Sequence, residues 1–294
     1  MTIFDVAEPL LIDGGLSTQL ESMGYDLHDP LWTARTLIER PDDITAAHRA
    51  FIAAGAGIVI SASYQVSRRG FLAAGLTEAD ADRALWASVD AARAAGDALV
   101  AASVGPFGAI AHDGGEYRGN YGLSREELGA FHVERLRVLE AARPDLLAIE
   151  TIPDADEAQA IVDVLGEDLP AWFSFTTADG VHVRAGQRLE DAVGIVAGHP
   201  AVQAVGINCS EPTVVGDAIA RIRAVTDLPI VVYPNAGGTW DPATGTWHGP
   251  TTPVDEAVRS WVAAGAGIVG GCCGTSAVDI AAMAAALTGP SPAG

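Results

Sequence analysis

The sequence contains no lysine: all 17 of its basic residues are arginine. This absence excludes a lysine Schiff base, a pyridoxal-phosphate enzyme and a Walker-type phosphate-binding lysine. The arginines are outnumbered by 38 Asp and Glu residues, which gives a formal net charge of −21. A surface this acidic repels nucleic acid and acidic membranes, so neither is expected as a partner.

Cysteine is also scarce, with three residues in 294. An odd number, two of them adjacent, does not resemble a disulfide framework, so a reducing cytoplasm is the expected location. Apolar runs end well short of the roughly 18 residues that indicate a membrane span, and the first residues lack the basic and apolar regions of a signal peptide. The expected partners are therefore small molecules, while homo-oligomerisation is left open.

Apolar strand-like runs alternate with Ala-rich helical segments along the whole chain. Continuous Val- and Ile-rich strands are typical of a parallel sheet that is covered on its outer face. Eight such units predict a single (β/α)8 TIM barrel over residues 1–294. A doubly wound sheet is the alternative, although no Gly-x-Gly-x-x-Gly follows the first strand. The predicted strands are Leu10–Gly15, Gly57–Ser63, Ala98–Gly105, Leu146–Ile152, Ala171–Thr177, Val202–Cys209, Pro229–Pro234 and Gly267–Cys272.

A seven-residue segment, Ala-Ala-Gly-Ala-Gly-Ile-Val, occurs twice, at 53–59 and at 263–269. Each copy has the pattern of a helix end, a glycine turn and the start of a strand. The copies lead into the predicted second and eighth strands, which flank the first strand in a closed barrel. Long loops follow the third and seventh strands, at 106–122 and 235–253, on the face where barrel active sites are built.

All three cysteines lie at the ends of predicted strands. Cys209 ends the apolar run that begins at Val205, and Cys272 and Cys273 follow Val269-Gly270-Gly271. Adjacent residues of a regular strand point to opposite faces, so both can bind one ion only if the chain turns there, which the flanking glycines permit. Three thiolates and one open position predict a soft-metal site, with zinc as the first choice. Inert buried cysteines or a phosphate-binding turn at 270–275 are the alternatives.

Acidic residues follow the apolar runs of two further predicted strands, Asp13 in the first strand and Glu150 in the fourth. A buried carboxylate is unfavourable unless it is paired, and either residue alone could simply cap a turn. Together with the three thiols, they indicate a polar site at the carboxyl ends of the strands. Other polar residues at strand ends are Ser61, Ser63, Asn208 and Asn235.

A zinc ion with three thiolate ligands carries a net charge of about −1. Such a site is a poor Lewis acid for making hydroxide but a good platform for a fourth sulfur. A substrate thiol bound there would lose its proton at neutral pH and stay nucleophilic. Zinc hydrolases favour histidine and carboxylate ligands instead, and the sequence has no His-x-His or His-Glu-x-x-His.

These residues, in this order, resemble the zinc-dependent homocysteine S-methyltransferase family over essentially the whole chain. The resemblance implies a (β/α)8 barrel with zinc held by Cys209, Cys272 and Cys273. It also implies that Asp13 and Glu150 hold the amino group of homocysteine, as two carboxylates beside an ammonium can. The motifs that carry it are Asp13-Gly14-Gly15, Pro30-Leu31-Trp32-Thr33, Ser61-Ala62-Ser63-Tyr64-Gln65, Ser103-Val104-Gly105-Pro106, Glu116-Tyr117-Arg118-Gly119, Glu150-Thr151-Ile152-Pro153, Gly206-Ile207-Asn208-Cys209 and Gly270-Gly271-Cys272-Cys273-Gly274.

The compact chain looks like the S-methylmethionine type of this family, which implies methyl transfer from S-methylmethionine to L-homocysteine. The predicted substrate-binding residues are Asp13, Glu150, Ser61, Ser63, Asn208 and Trp32. An aromatic face could hold a sulfonium by cation–π contact, and Trp32 is preferred to Tyr117, Tyr121, Trp240 and Trp247. The nearest alternative is the same acceptor with S-adenosylmethionine, betaine or dimethylsulfoniopropionate. A non-catalytic zinc- or thiol-binding barrel and a phosphate-binding isomerase barrel are the others.

Overall fold

The computed structural model describes residues 4, 8–25, 33–110, 113–241, 246–249 and 251–289. Strands and helices alternate along these residues. The strands are β1 (Leu10–Leu11), β2 (Ile58–Ile60), β3 (Leu99–Val104), β4 (Leu146–Ile152), β5 (Ala171–Phe175), β6 (Val202–Asn208), β7 (Ile230–Tyr233), β8 (Thr239–Asp241), β9 (Thr246–His248) and β10 (Ala266–Val269). The helices are α1 (Leu16–Ser22), α2 (Thr33–Glu39), α3 (Pro41–Ala53), α4 (Arg68–Ala73), α5 (Glu78–Ala94), α6 (Arg125–Ala141), α7 (Ala155–Val162), α8 (Leu189–Val196), α9 (Val215–Arg223), α10 (Val254–Ala263) and α11 (Ala277–Thr288).

Eight parallel strands form one sheet in the order β1-β10-β7-β6-β5-β4-β3-β2. A parallel bridge between Ile12 and Ile58 joins its two edges, and the Asp13 N–H donates to the Ile58 carbonyl at 3.1 Å. The sheet is therefore closed, and the predicted (β/α)8 barrel is confirmed. All eight predicted strands are present, although several are shorter than predicted because the chain turns away at the polar residues that follow them.

The repeated segment explains how the barrel closes. In both copies the third residue, Gly55 or Gly265, has a left-handed backbone with φ of +107° or +113°. This conformation ends α3 and α10 and directs the chain into β2 and β10. These two strands flank β1, as the order of the repeats predicts.

Several helices start at side chains that cap their free N–H groups. Thr77 and Asp80 form a capping box at α5, Ser124 and Glu127 form one at α6, and Ser276 and Asp279 form one at α11. Each box satisfies two backbone donors reciprocally, so these helix starts are encoded locally.

The apolar residues divide between two layers. A smaller cluster fills the barrel interior and includes Ile12, Ile58, Leu146, Ala148 and Trp172. The larger cluster lies between the strands and the surrounding helices. Because residues alternate between these layers along each strand, the position of a polar residue at a strand end decides which layer it faces.

The two long loops have secondary structure of their own. The loop after β3 contains short 3-10 turns at Phe107–Ile110 and Gly115–Tyr117. The loop after β7 contains the antiparallel pair β8–β9, in which Trp240 lies opposite Trp247. No helix in the described ranges is long and apolar enough to cross a bilayer.

Candidate active site

The three cysteines meet at the carboxyl ends of β6 and β10, on either side of β7. Their Sγ atoms all lie within 4.8 Å of one another. Cys209 is 6% exposed, and Cys272 and Cys273 are partly buried. The prediction that the three cysteines come together at the strand ends is therefore confirmed.

Cys209 and Cys272 are paired as a disulfide with a Cα–Cα distance of 5.6 Å, whereas Cys273 is free. The sequence predicted no disulfide framework; the pairing of two predicted metal ligands with each other was not expected. The reason is geometric, because side chains that converge closely enough to share one ion are also within reach of each other. Metal binding requires both as thiolates, so the pair has two alternative states.

The backbone turns sharply at both cysteine segments. Cys209 has a left-handed conformation with φ of 45°, which is uncommon for a residue other than glycine. Gly274 has φ of +81°, and the Thr275 N–H donates to the Cys272 carbonyl at 3.1 Å. This turn lets the adjacent Cys272 and Cys273 face one site, and strain of this kind is concentrated at functional sites.

The turn at 270–275 does not present a phosphate nest. Four of its N–H groups bond to protein carbonyls, those of Gly270, Gly271, Cys272 and Thr275. The Gly274 N–H donates to the Thr18 hydroxyl at 2.9 Å. Anion binding by a nest needs backbone donors that are free, so the phosphate alternative loses its physical basis.

The cluster fits a soft metal ion. Three sulfur donors lie within a few ångströms of one another, as ligands of one tetrahedral ion must. Burial raises the pKa of the Cys273 thiol to about 11, with the nearby Glu116 carboxylate adding to the rise. A bound cation would offset that cost of ionisation. Asn235 follows β7 between the cysteine segments, and its buried Oδ1 has no hydrogen-bond partner among the described residues.

Asp13 lies beside the thiol cluster and is 1% exposed. Its Oδ2 accepts the Ile60 N–H at 2.8 Å, whereas its buried Oδ1 has no partner in the described part of the chain. Burial raises the pKa of Asp13 well above its usual value, and the neighbouring Glu150 raises it further. A buried acceptor of this kind is favourable only when a donor or a cation reaches it.

Glu150 is 6% exposed and lies at an irregularity in the pairing of β4 with β5, between Ile149 and Ile152. The next residue, Thr151, has φ of 59°, an unusual backbone for a β-branched side chain. Bulges of this kind re-aim side chains near active sites.

Two hydroxyl groups hold the Glu150 carboxylate. Ser103 donates to its Oε1, and the Tyr233 hydroxyl bonds to it as well. Burial raises the pKa of Glu150 to about 7, while these two hydrogen bonds and the Arg135 charge oppose the rise. Glu150 therefore changes charge within the physiological pH range.

Asn208 is fully buried and bridges three strands. Its Oδ1 accepts from the Thr151 N–H at 2.7 Å and from the Ser174 hydroxyl at 2.8 Å. Its Nδ2 donates to the Thr151 hydroxyl at 2.7 Å. These bonds stabilise the unusual backbone beside Glu150, so the geometry gives Asn208 a supporting position.

Ser61 and Ser63 are engaged with each other and with β3. Their hydroxyls lie 2.8 Å apart, Ser61 accepts the Ser103 N–H at 3.2 Å, and Ser63 donates to the Ser103 carbonyl at 2.7 Å. Because Ser103 donates to Glu150, the two serines support the carboxylate through Ser103. As direct substrate ligands they stay a prediction.

The aromatic residues predicted as possible sulfonium contacts differ in their surroundings. Burial raises the pKa of Tyr117 well above its usual value and the nearby Cys273 raises it further, so this residue lies close to the thiol cluster. Tyr121 packs on Phe107 at 5.3 Å between ring centroids and donates to the Gly115 carbonyl, which is a structural role. Trp32 lies outside the described residues.

Sequence reasoning gave no role to three residues of the site: Ser103, which it named only as part of a motif, and Tyr233 and Arg135. Ser103 and Tyr233 lie near the carboxyl ends of β3 and β7, so a search for every polar residue at a strand end would have found both. Arg135 lies within α6, is 2% exposed and donates to the Tyr64 carbonyl at 3.2 Å. Its role depends on how α6 packs, and its local sequence gives no signal of it.

The fold and the site together define a class of protein: (β/α)8 barrels that carry three thiols and two buried carboxylates at the carboxyl ends of their strands. A model of the homocysteine S-methyltransferase family matches residues 10–287. The chain belongs to the homocysteine S-methyltransferase family.

Known members of this family are similar over nearly the full length. The homocysteine S-methyltransferase of Escherichia coli is 42% identical over 299 residues, covering 96% of this chain and 96% of its own. Homocysteine S-methyltransferase 4 of Zea mays is 42% identical, covering 94% of this chain and 89% of its own. The crystal structure of the Escherichia coli homocysteine methyltransferase MmuM in its metallated form has a TM-score of 0.87 at 41% identity, covering 96% of this chain and 98% of that one.

Proposed function

We propose that residues 1–294 form one homocysteine-binding barrel domain that transfers a methyl group from S-methylmethionine to the thiol of L-homocysteine. Zinc would be held by Cys209, Cys272 and Cys273. The observation that carries the proposal is the convergence of three sulfurs next to two buried carboxylates, one of which has an unpaired oxygen. Thiols suit a soft metal and carboxylates suit an ammonium, so the site offers a partner for each end of homocysteine.

Asp13 and Glu150 would hold the homocysteine ammonium. The free Oδ1 of Asp13 would accept one of its N–H groups. The ammonium would also relieve the electrostatic repulsion between the two carboxylates, which raises the pKa of Asp13. Binding the amino group at a defined place directs the substrate side chain toward the cysteines and reduces the entropy of reaching the reactive geometry.

The three cysteines would place the substrate sulfur at the reacting position. Bound zinc would supply the charge that lowers the pKa of the substrate thiol and keeps it as a thiolate. Tyr117, which lies close to Cys273, would help to hold that ligand in place. Positioning groups of this kind typically contribute about 10- to 100-fold to metal affinity or activity.

Methyl transfer needs little proton chemistry from the protein. The homocysteine thiol loses its proton, and a sulfur lone pair forms the new bond to the methyl carbon. The bond from that carbon to the sulfonium sulfur breaks, and its electron pair stays on the leaving thioether. The products are two methionines and one proton, so positioning and electrostatics account for most of the catalysis.

The remaining predicted residues would act around this centre. Ser61 and Ser63 support Glu150 through Ser103, and Asn208 stabilises the backbone at Thr151. Trp32 stays a predicted contact of the sulfonium. The need to keep three thiols reduced favours a cytoplasmic location.

The test is to incubate reduced, zinc-loaded protein with homocysteine and S-methylmethionine and to count the methionine formed. We expect two methionines for each homocysteine consumed, with activity lost on chelation and recovered with zinc. Parallel reactions with S-adenosylmethionine, betaine and dimethylsulfoniopropionate identify the donor. Turnover that survives complete removal of metal contradicts the proposed mechanism, and zinc-dependent homocysteine binding without any turnover favours the non-catalytic barrel.

A further inference from the structure

One arginine near the thiol cluster has no hydrogen-bonded or ion-paired partner among the described residues. Arg184 belongs to the loop between β5 and α8, at the carboxyl end of the barrel. Its guanidinium carbon lies 5.3 Å from the centroid of the Tyr117 ring. Cys273 contributes to the raised pKa of Tyr117, after burial, so the ring and the guanidinium stacked on it lie near the thiol cluster.

The side chain of Arg184 makes no ion pair or hydrogen bond with any residue that the structure describes, and its Nε is buried. The charges nearest to it are Glu211, two residues after Cys209, and Asp179. Asp179 is already bonded to His182 at 2.9 Å. A half-buried guanidinium among acidic groups is therefore available to a ligand, and planar carboxylates match its geometry.

Arg135, the other cation near the site, is not available in this way. It is 2% exposed and donates to the Tyr64 carbonyl. Its Nε and Nη1 have no partner among the described residues, but its burial leaves them out of reach of a ligand from solvent, and the charges of Glu157 and Glu150 already act on it. Arg188, in the same loop as Arg184, is paired with Glu190 at 2.8 Å on the exposed side. Of these three, Arg184 combines an unpaired guanidinium with partial exposure and a contact with the Tyr117 ring.

The position of Arg184 is held by its neighbours. Asp154 accepts the Asn120 N–H at 2.9 Å from the loop that carries Tyr117, and the Gln187 side chain at 2.7 Å from the loop that carries Arg184. The Ala185 N–H also donates to the Pro153 carbonyl at 2.8 Å. The aromatic ring and the guanidinium are thus preorganised, which reduces the cost of binding.

We propose that Arg184, stacked on Tyr117, binds the carboxylate of the methyl donor. The inference rests on the proposed function, because it assigns a subsite to the second substrate of that reaction. The donor must bring its sulfonium close to the substrate sulfur, while Asp13 and Glu150 hold the amino group of the acceptor. A carboxylate on Arg184 would orient the donor so that its sulfonium reaches the thiol cluster. The ligand class is a sulfonium that carries a carboxylate.

The experiment compares two donors in the zinc-loaded enzyme, S-methylmethionine and its decarboxylated analogue 3-(dimethylsulfonio)propylamine. The analogue lacks the carboxylate and therefore the charge-assisted bidentate contact. In the wild type, its kcat/KM should be about 30- to 100-fold lower than that of S-methylmethionine. In Arg184→Met, kcat/KM for S-methylmethionine should fall by the same factor. For the analogue, kcat/KM should fall by no more than about threefold. Arg184→Lys keeps the positive charge but not the paired N–H donors of the guanidinium, so it should recover part of the lost kcat/KM for S-methylmethionine.

Matched measurements separate this role from a structural one. Zinc content and homocysteine affinity should be unchanged in Arg184→Met, and Arg188→Met should match the wild type with both donors. Equal losses with both donors, a preference that persists in the variant, or a loss of zinc would each overturn the proposal.

Failure of the proposed donor gives a different result. If the wild type makes no methionine from S-methylmethionine, the same variants are assayed with S-adenosylmethionine and dimethylsulfoniopropionate, which also carry carboxylates. A selective loss in Arg184→Met with either one supports the subsite without the proposed donor. Wild-type inactivity with every carboxylate-bearing donor overturns both proposals.

Discussion

The two copies of Ala-Ala-Gly-Ala-Gly-Ile-Val form the same local structure and lead to different chemistry. Each ends a helix at a left-handed glycine and starts a strand beside β1. The chain then continues as Ile60-Ser61-Ala62-Ser63 in the first copy and as Gly270-Gly271-Cys272-Cys273 in the second. The first continuation makes a hydroxyl network that supports Glu150, and the second supplies two of the three thiols.

This comparison shows that the helix-to-strand joint and the functional group are encoded separately. The joint depends on one glycine and the apolar residues that follow it, which is local chemistry. The chemistry depends on the few residues after the strand, where the barrel gathers the ends of all its strands. The following predictions test that separation.

The largest effect is expected when Cys272 is replaced by the residue at the equivalent place in the first copy, Ala62. Cys272→Ala should abolish zinc retention and lower turnover by roughly 1000-fold or more, since a ligand of the reacting centre is lost. Elemental analysis and methionine formation measure the two effects. Ser63→Ala, at the place equivalent to Cys273, should keep zinc and most activity. A Cys272→Ala enzyme that is fully active contradicts the metal assignment.

The next effect is expected at the carboxylate that the first copy supports. Glu150→Gln keeps the shape but removes the charge, so kcat/KM for homocysteine should fall by about 100-fold, near the value of a charged hydrogen bond. Zinc content should stay at the wild-type level. Loss of zinc together with activity would show that Glu150 belongs to the metal centre and not to a separate acceptor subsite.

The pH dependence should follow the same carboxylate. Glu150 has a pKa of about 7 in the folded protein, above its usual value, because it is buried. It is protonated in the free enzyme below that pH, and an ammonium needs it ionised. The substrate thiol would release a proton on binding in either enzyme, so homocysteine affinity should rise with pH in both. Below pH 7 the ionisation of Glu150 should add up to about tenfold per unit to that rise, and this added slope should end above 7. The Glu150→Gln enzyme should lack this inflection, and an identical inflection in both enzymes would assign it to another group.

The smallest effects are expected at the joints themselves. Alanine at Gly55 or Gly265 must adopt positive φ, which costs about 1 kcal/mol of folding stability. A Cβ at Gly55 would also lie 3.1 Å from the Ala284 Cβ, whereas at Gly265 the nearest atom is 4.0 Å away. Gly55→Ala should therefore be the more destabilised in urea unfolding. Gly267→Ala, where the space is open and φ is not positive, is the control and should change little. Equal stability in all three variants would contradict the role given to the joint.

The sequence predicted the strands well because each is a continuous apolar run, and it predicted the barrel because eight of them alternate with helices. It also predicted that the cysteines, Asp13 and Glu150 meet at one face, since each follows or ends a strand. It did not predict the Cys209–Cys272 disulfide or the hairpin after β7. The disulfide depends on a distance across the closed barrel, to which the local pattern is insensitive. The hairpin is local, but its strands are only three residues each.

The roles within the site required the tertiary structure. Ser61, Ser63 and Asn208 have the residue types of substrate ligands, yet their hydrogen bonds go mainly to Ser103 and Thr151. The same polar group can bind a ligand or support one, and only its neighbours decide which. Arg184 shows the reverse case, because nothing in its local sequence distinguishes it from Arg188. Their difference arises from which loop, ring and helix surround each side chain.

The sequence by itself determined the alternation of elements, the helix caps, the two glycine joints and the set of chemical groups at the strand ends, because each depends on residues close together in the chain. Tertiary structure decided which groups face one another, which hydroxyls are already bonded, and which carboxylate and guanidinium are left for a ligand. The physical reason is that burial and hydrogen bonding depend on atoms brought together by barrel closure, often from strands more than a hundred residues apart along the chain.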